Sequence, residues 1–167
     1  MEKYNCQTFC EIGVNDGSNF NFMIKHNPKV AVAVDCWIND GVASRNEGYS
    51  DSKLNRIYKS FKAKMANKAF VQIYREYSFE AVKHFPDEYF DLIYIDADHT
   101  YEACLKDIEG WYPKLKRGRI LIGDDYLDLT SPRGVKFGVI KAVKQFARAN
   151  NLQFCVLPYH DWALIKP

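Results

Sequence analysis

The chain has 167 residues, 47% apolar and 26% charged side chains, and a formal net charge of +2, the profile of one globular unit that buries a core without disulfide or metal staples. So even a balance gives no electrostatic case for nucleic acid, which selects clearly basic domains, and the lysine- and arginine-rich stretch between Lys53 and Lys68 reads as a solvated helix face. No apolar run approaches the ~20 residues of a membrane span or resembles a leader, and five cysteines without a Cys-x-x-Cys pair read as thiols of a reducing compartment, so a cytoplasmic protein with no membrane partner is expected.

In chain order, residues 8–12 (TFCEI) form a strand that breaks at Gly13, and residues 19–26 a helix with Phe20 and Met23 at core spacing. Residues 30–34 (VAVAV) read as a strand buried on both faces, ending at Asp35. Residues 39–51 are a polar loop. Ser52 caps a helix to residue 67, with Leu54, Ile57, Tyr58, Phe61 and Met65 as its apolar stripe. A third strand covers residues 70–74, and Ser78 caps a short helix that stops before Pro86.

Residues 90–95 form the fourth strand and run into Asp96-Ala97-Asp98-His99. The helix that follows, to residue 114, carries Tyr101, Leu105, Ile108, Trp111 and Tyr112 on one side. Residues 119–122 are the fifth strand, ending at Asp124-Asp125, and a helix over 136–150 buries Val139, Val143, Phe146 and Ala147. The last two strands, 152–157 and 162–166, are joined by a turn too short for a parallel crossover, so they pair antiparallel. The expected fold is α/β: a Rossmann-like, doubly wound, mostly parallel seven-stranded sheet with an antiparallel C-terminal hairpin, one domain over residues 1–167.

Ligands of such sheets lie at the carboxyl ends of the strands. Small and acidic residues fall there repeatedly: Glu11, Gly13 and Gly17, then Asp35, Ser78, Asp96 and Asp98, and Asp124 with Asp125. Helix caps and turns account for any one of them, less readily for the set. The first turn lacks the G-x-G-x-x-G of pyrophosphate binders and suits a nucleoside without phosphates. Asp35 can accept from two ribose hydroxyls. Adjacent carboxylates at a buried strand end repel and lose solvation; with Asp96, Asp124 and Asp125 could form a hard oxygen site for Mg²⁺, or serve as a solvated and a turn residue. Asp98 and His99 are candidates for general base or substrate contact.

The segments EIGVNDGS, AVAVD, FDLIYIDADHTYEACLKDIEGWYPKLK and ILIGDDY resemble the class I S-adenosylmethionine-dependent methyltransferases, most narrowly the small O-methyltransferases of the macrocin and novobiocin sugar-modifying type and, more distantly, the catechol O-methyltransferases. The resemblance implies that Glu11, Gly13, Val14, Asn15 and Gly17 wrap the methionine part of the cofactor. It places Asp35 on the ribose, Cys36 and Trp37 beside the adenine, and Tyr77 and Ser78 flanking it. It implies that Asp96, at the cofactor's edge, joins Asp124 and Asp125 as metal ligand, that Asp98 is the base, and that His99 stands where catechol-type enzymes carry a catalytic lysine. The family's usual Gly-Gly before strand five reads Gly118-Arg119, and its N-terminal cover helices are missing. The acceptor pocket is then open, closed by a second copy in a homodimer, or covered by the 39–51 loop. The implied activity is O-methylation of a small hydroxylated acceptor such as a sugar, with S-adenosylmethionine and, if the carboxylates close on a cation, Mg²⁺. The rival readings are a non-catalytic cofactor-binding module and a nicotinamide-dependent oxidoreductase.

Overall fold

Alternation along the strands decides how the layers form. In the computed structural model, which describes residues 5–39, 48–132 and 134–167, the strands are β1 (Thr8–Ile12), β2 (Val30–Val34), β3 (Val71–Tyr74), β4 (Phe90–Ile95), β5 (Leu115–Gly123), β6 (Phe154–Val156) and β7 (Trp162–Ile165). Successive side chains point to opposite faces. Cys10, Ile12, Val32, Val34, Ile93 and Ile95 therefore pack on one side with Ile108 and Trp111 of α4 (Tyr101–Trp111) and Val143 and Phe146 of α5 (Val139–Ala149). Phe9, Ala31, Ala33 and Leu92 pack on the other with Phe20 of α1 (Ser18–Met23) and Phe61 and Met65 of α2 (Asp51–Met65).

The seven strands form one sheet in the order β3-β2-β1-β4-β5-β7-β6. The first five pair parallel; β7 runs antiparallel to both β5 and β6. This is the expected doubly wound sheet with an antiparallel end. The chain winds outward from β1 in one direction and from β4 in the other, so the crevice above their carboxyl ends is the place where ligands lodge in such sheets.

Local details depart from the sequence reading. Ser50, not Ser52, caps α2: its Oγ accepts from the Lys53 N–H at 3.3 Å. Ser78 begins α3 (Ser78–Ala81) instead of capping it, and the turn to His84 is a 3-10 turn. Strand β5 starts four residues earlier than its apolar run, with a register shift against β4. Asp91, nearly fully buried, explains the early start. It accepts from the Gln7 and Thr8 N–H groups at 2.8 and 3.0 Å and meets Lys116 Nζ at 3.0 Å and Arg119 Nε at 3.2 Å. These contacts tie β1, β4 and β5 together at the end of the sheet opposite the crevice. Of the loop suggested as a lid, residues 40–47 lie outside the described residues.

Candidate active site

Above the β1–β4 junction the backbone turns sharply. Gly13 (φ 90°) and Gly17 (φ 81°) both adopt left-handed conformations that side chains resist. The Gly13 N–H donates to Val34 O at 2.8 Å. Asp35 fastens this turn to the one after β2: one carboxylate oxygen accepts from the Asn15 N–H at 2.9 Å and the other from the Trp37 N–H at 2.8 Å. The Trp37 indole donates back to Asn15 O at 2.8 Å. Its ring is buried and stacked on Phe61 at 5.8 Å, so Trp37 supports the turn from beneath and does not face the crevice. Glu11 and Val14 are likewise buried.

The crevice holds a cavity of about 180 Å³. The sequence-derived candidates that line it are Gly13, Asp35, Cys36, Tyr77, Ser78 and Asp98. Ile12, Val34, Glu76, Phe79, Ala97 and, from α4, Ala103, Lys106 and Asp107 complete the wall. The Tyr77 and Phe79 rings lie parallel, 5.2 Å apart, and Lys106 Nζ sits 3.9 Å over the Phe79 ring. At the floor, the Ser78 hydroxyl donates to Asp107 Oδ1 at 2.5 Å and accepts from Trp111 Nε1 at 2.7 Å.

Asp107 was not among the residues the sequence reading singled out, yet the signal is in the sequence. It interrupts the stripe Cys104, Asp107, Ile108, Trp111, the residues of α4 that are buried. Burial pushes its carboxyl up to about 7; the Ser78 bond opposes this, while nearby Asp98 adds to it.

The remaining candidates gather beside the cavity. His99 Nε2 lies 3.4 Å from Asp96 Oδ1 and 3.3 Å from Asp125 Oδ2, and its ring packs on Phe137 at 4.9 Å. Asp98 Oδ1 accepts from the Thr100 N–H at 2.8 Å at the start of α4. Asp124 accepts from the N–H of Asp125, whose own backbone is left-handed (φ 57°). Tyr94 donates to Asp161 at 3.1 Å, and burial raises the Asp161 carboxyl.

This arrangement does not fit the expected cation site. The His99 imidazole stands between Asp96 and Asp125, and Asp124 accepts from the Asp125 N–H and meets the Asp161 carboxyl. Among the described residues no group of three or more His, Cys, Asp or Glu side chains is disposed to hold a metal ion.

Fold and crevice together define an α/β protein with a ligand cavity at its topological switch point. The family follows from sequence: a family model described as a methyltransferase domain matches residues 10–126. The chain belongs to that family and is an S-adenosylmethionine-dependent methyltransferase of the class I fold. No curated protein matches it. Among solved structures it is similar to the methyltransferase PaMTH1 of Podospora anserina, bound to S-adenosylhomocysteine (SAH), at 14% identity, covering 99% of this chain and 74% of that one, TM-score 0.71. It is similar to an O-methyltransferase of Bacillus cereus in complex with SAH at 15% identity, covering 99% and 76%, TM-score 0.66. It is also similar to the O-methyltransferase NovP at 14% identity, covering 96% and 72%, TM-score 0.67. At these identities the likeness is one of fold. Among the described residues no helix is long and apolar enough to cross a membrane.

Proposed function

We propose that all 167 residues form one catalytic domain that transfers a methyl group to a hydroxyl of a small acceptor, a sugar being the class that the sequence resemblance favours. The observation that carries this reading is the cavity bounded by Gly13, Asp35 and the Tyr77 and Phe79 rings, whose bare backbone, carboxylate and aromatic edges match the needs of ribose and adenine. O-methylation is supported by the likeness to the Bacillus cereus O-methyltransferase and the O-methyltransferase NovP. The odd cysteine count supports a cytoplasmic setting.

When bound, S-adenosylmethionine supplies a methyl group already activated as a sulfonium, so the chain's task is to align and to move a proton. Gly13 lets the backbone come close to the ligand. Asp35 presents its carboxylate at the cavity, where it can accept from ribose hydroxyls. His99 is the group we assign as proton acceptor for the acceptor hydroxyl. Asp96 and Asp125 flank its ring at Nε2 and hold its orientation. Asp98, which lines the cavity and accepts from the Thr100 N–H, is the carboxylate we assign to contact with the acceptor. Mg²⁺ enters no step of this reading, because His99 stands between Asp96 and Asp125 and no group of three such side chains among the described residues is disposed to hold it. A nicotinamide role is not retained for a member of a methyltransferase family.

Calorimetric titration with SAH tests the reading. Wild type is expected to bind in the micromolar range, and Asp35→Ala about tenfold or more weaker, the loss of a charge-assisted hydrogen bond. A folded wild type that gives no binding heat would sink it.

A further inference from the structure

Three charged side chains are buried among the described residues: Glu11, Asp91 and Asp107. Asp91 has two cations against it. Asp107 has no lysine or arginine in salt-bridge contact among the described residues, although it sits in an apolar helix stripe where an ion is costly. Its surroundings fix how it is used. The Trp111 indole N–H can only donate, so it occupies the Ser78 hydroxyl oxygen from behind, and the Ser78 proton points to Asp107 Oδ1. That leaves the carboxylate's second oxygen for the cavity that Asp107 and Ser78 both line.

We propose that Asp107 reads the six-position of the cofactor's purine, its carboxylate accepting from the exocyclic amine of adenine and turning away a 6-oxopurine. The assignment rests on the reading of this cavity as the nucleoside pocket. An amine at that position donates; a carbonyl accepts, and would set two acceptors against each other in a partly desolvated wall. The Tyr77 and Phe79 rings beside it offer contact to any purine alike, so they cannot discriminate. Asp107 is the buried acceptor in the wall that can.

The test is calorimetric binding of S-adenosylhomocysteine and its deaminated analogue, S-inosylhomocysteine, to wild type and Asp107→Asn, with near-ultraviolet circular dichroism to verify folding. Wild type should prefer the adenosyl ligand about ten- to a hundredfold. In Asp107→Asn the amide can turn its NH₂ toward a carbonyl, so the preference should fall to near unity or invert. A second readout needs no variant. The groups facing Asp107 are Ser78 of α3, Asp98 of the β4–α4 turn, and Cys104 and Lys106 of α4. The wild-type preference should narrow below about pH 7, where the protonated carboxyl can donate.

Equal wild-type affinity for both ligands, or an Asp107→Asn variant that keeps the wild-type preference, overturns this assignment alone. A wild type that binds neither ligand overturns the nucleoside reading together with it.

Discussion

At the scale of single residues, the carboxylate of Asp107 is a cost the fold carries for the sake of its cavity. Its pKa is raised from 3.8 to about 7 in the folded chain. The folded state therefore holds a proton that the unfolded state has released across that window, and stability falls as pH rises through it, staying lower above. Asp107→Asn keeps the acceptor for Ser78 and removes the charge. The variant is expected to be more stable than wild type at neutral pH, on the order of a few kcal/mol, and to lose that advantage below about pH 4. Urea unfolding at several pH values checks this. Gly13 carries the opposite demand. With φ at 90°, a side chain there costs about 1–2 kcal/mol, and the residue lines the cavity. Gly13→Ala is expected to lower the melting temperature by a few degrees and to abolish SAH binding, read by thermal shift with and without ligand.

At the scale of elements, most of the architecture was legible and the exceptions share a cause. Strands β1, β2 and β4 read directly, because short apolar-rich runs ended by glycine or aspartate suit a two-sided burial, with Glu11 and Asp91 as the buried charges within them. The start of β5 did not: Leu115-Lys116-Arg117-Gly118 has no strand-like pattern, and it pairs because Lys116 and Arg119 reach Asp91, a partner far away in sequence. Trp37 was misplaced for a similar reason. Its position follows β2 as the family pattern requires, but only the fold shows the indole turned under onto Phe61. The carboxylates at the rim were found as a group, while their partner, His99 between Asp96 and Asp125, depended on side-chain directions that no spacing encodes. In the Asp91 cluster, burial would raise the carboxyl, but the Gln7, Lys116 and Thr8 donors hold it below its usual value. Its stabilisation is present above the unfolded pKa and lost as pH falls through the lowered one. Asp91→Ala should cost about 3 kcal/mol, measured by urea denaturation, with SAH affinity of the folded fraction unchanged because the cluster lies at the far end of the sheet.

At the scale of the whole molecule, the sheet order β3-β2-β1-β4-β5-β7-β6 brings residues from four strand ends to one crevice. The cavity draws on the turns after β1, β2, β3 and β4 and on the first turns of α4. That is why a chain with candidate residues scattered from Glu11 to Asp125 presents them within one neighbourhood. The Asp35–Asn15–Trp37 ties are formed within the chain itself, so two walls of that neighbourhood are already set before any ligand arrives. Such pre-organisation reduces the ordering that binding must supply. On the proposed reading, the Asp35 carboxylate held by these ties meets the ribose, a part that donor and spent product have in common, and not the sulfonium that distinguishes them. SAH is therefore expected to bind about as tightly as S-adenosylmethionine, and progress curves should slow as product accumulates unless a hydrolase removes it. An enzyme built this way responds to the ratio of charged to discharged methyl carrier, and its output would follow the methylation state of the cell more closely than the supply of donor alone.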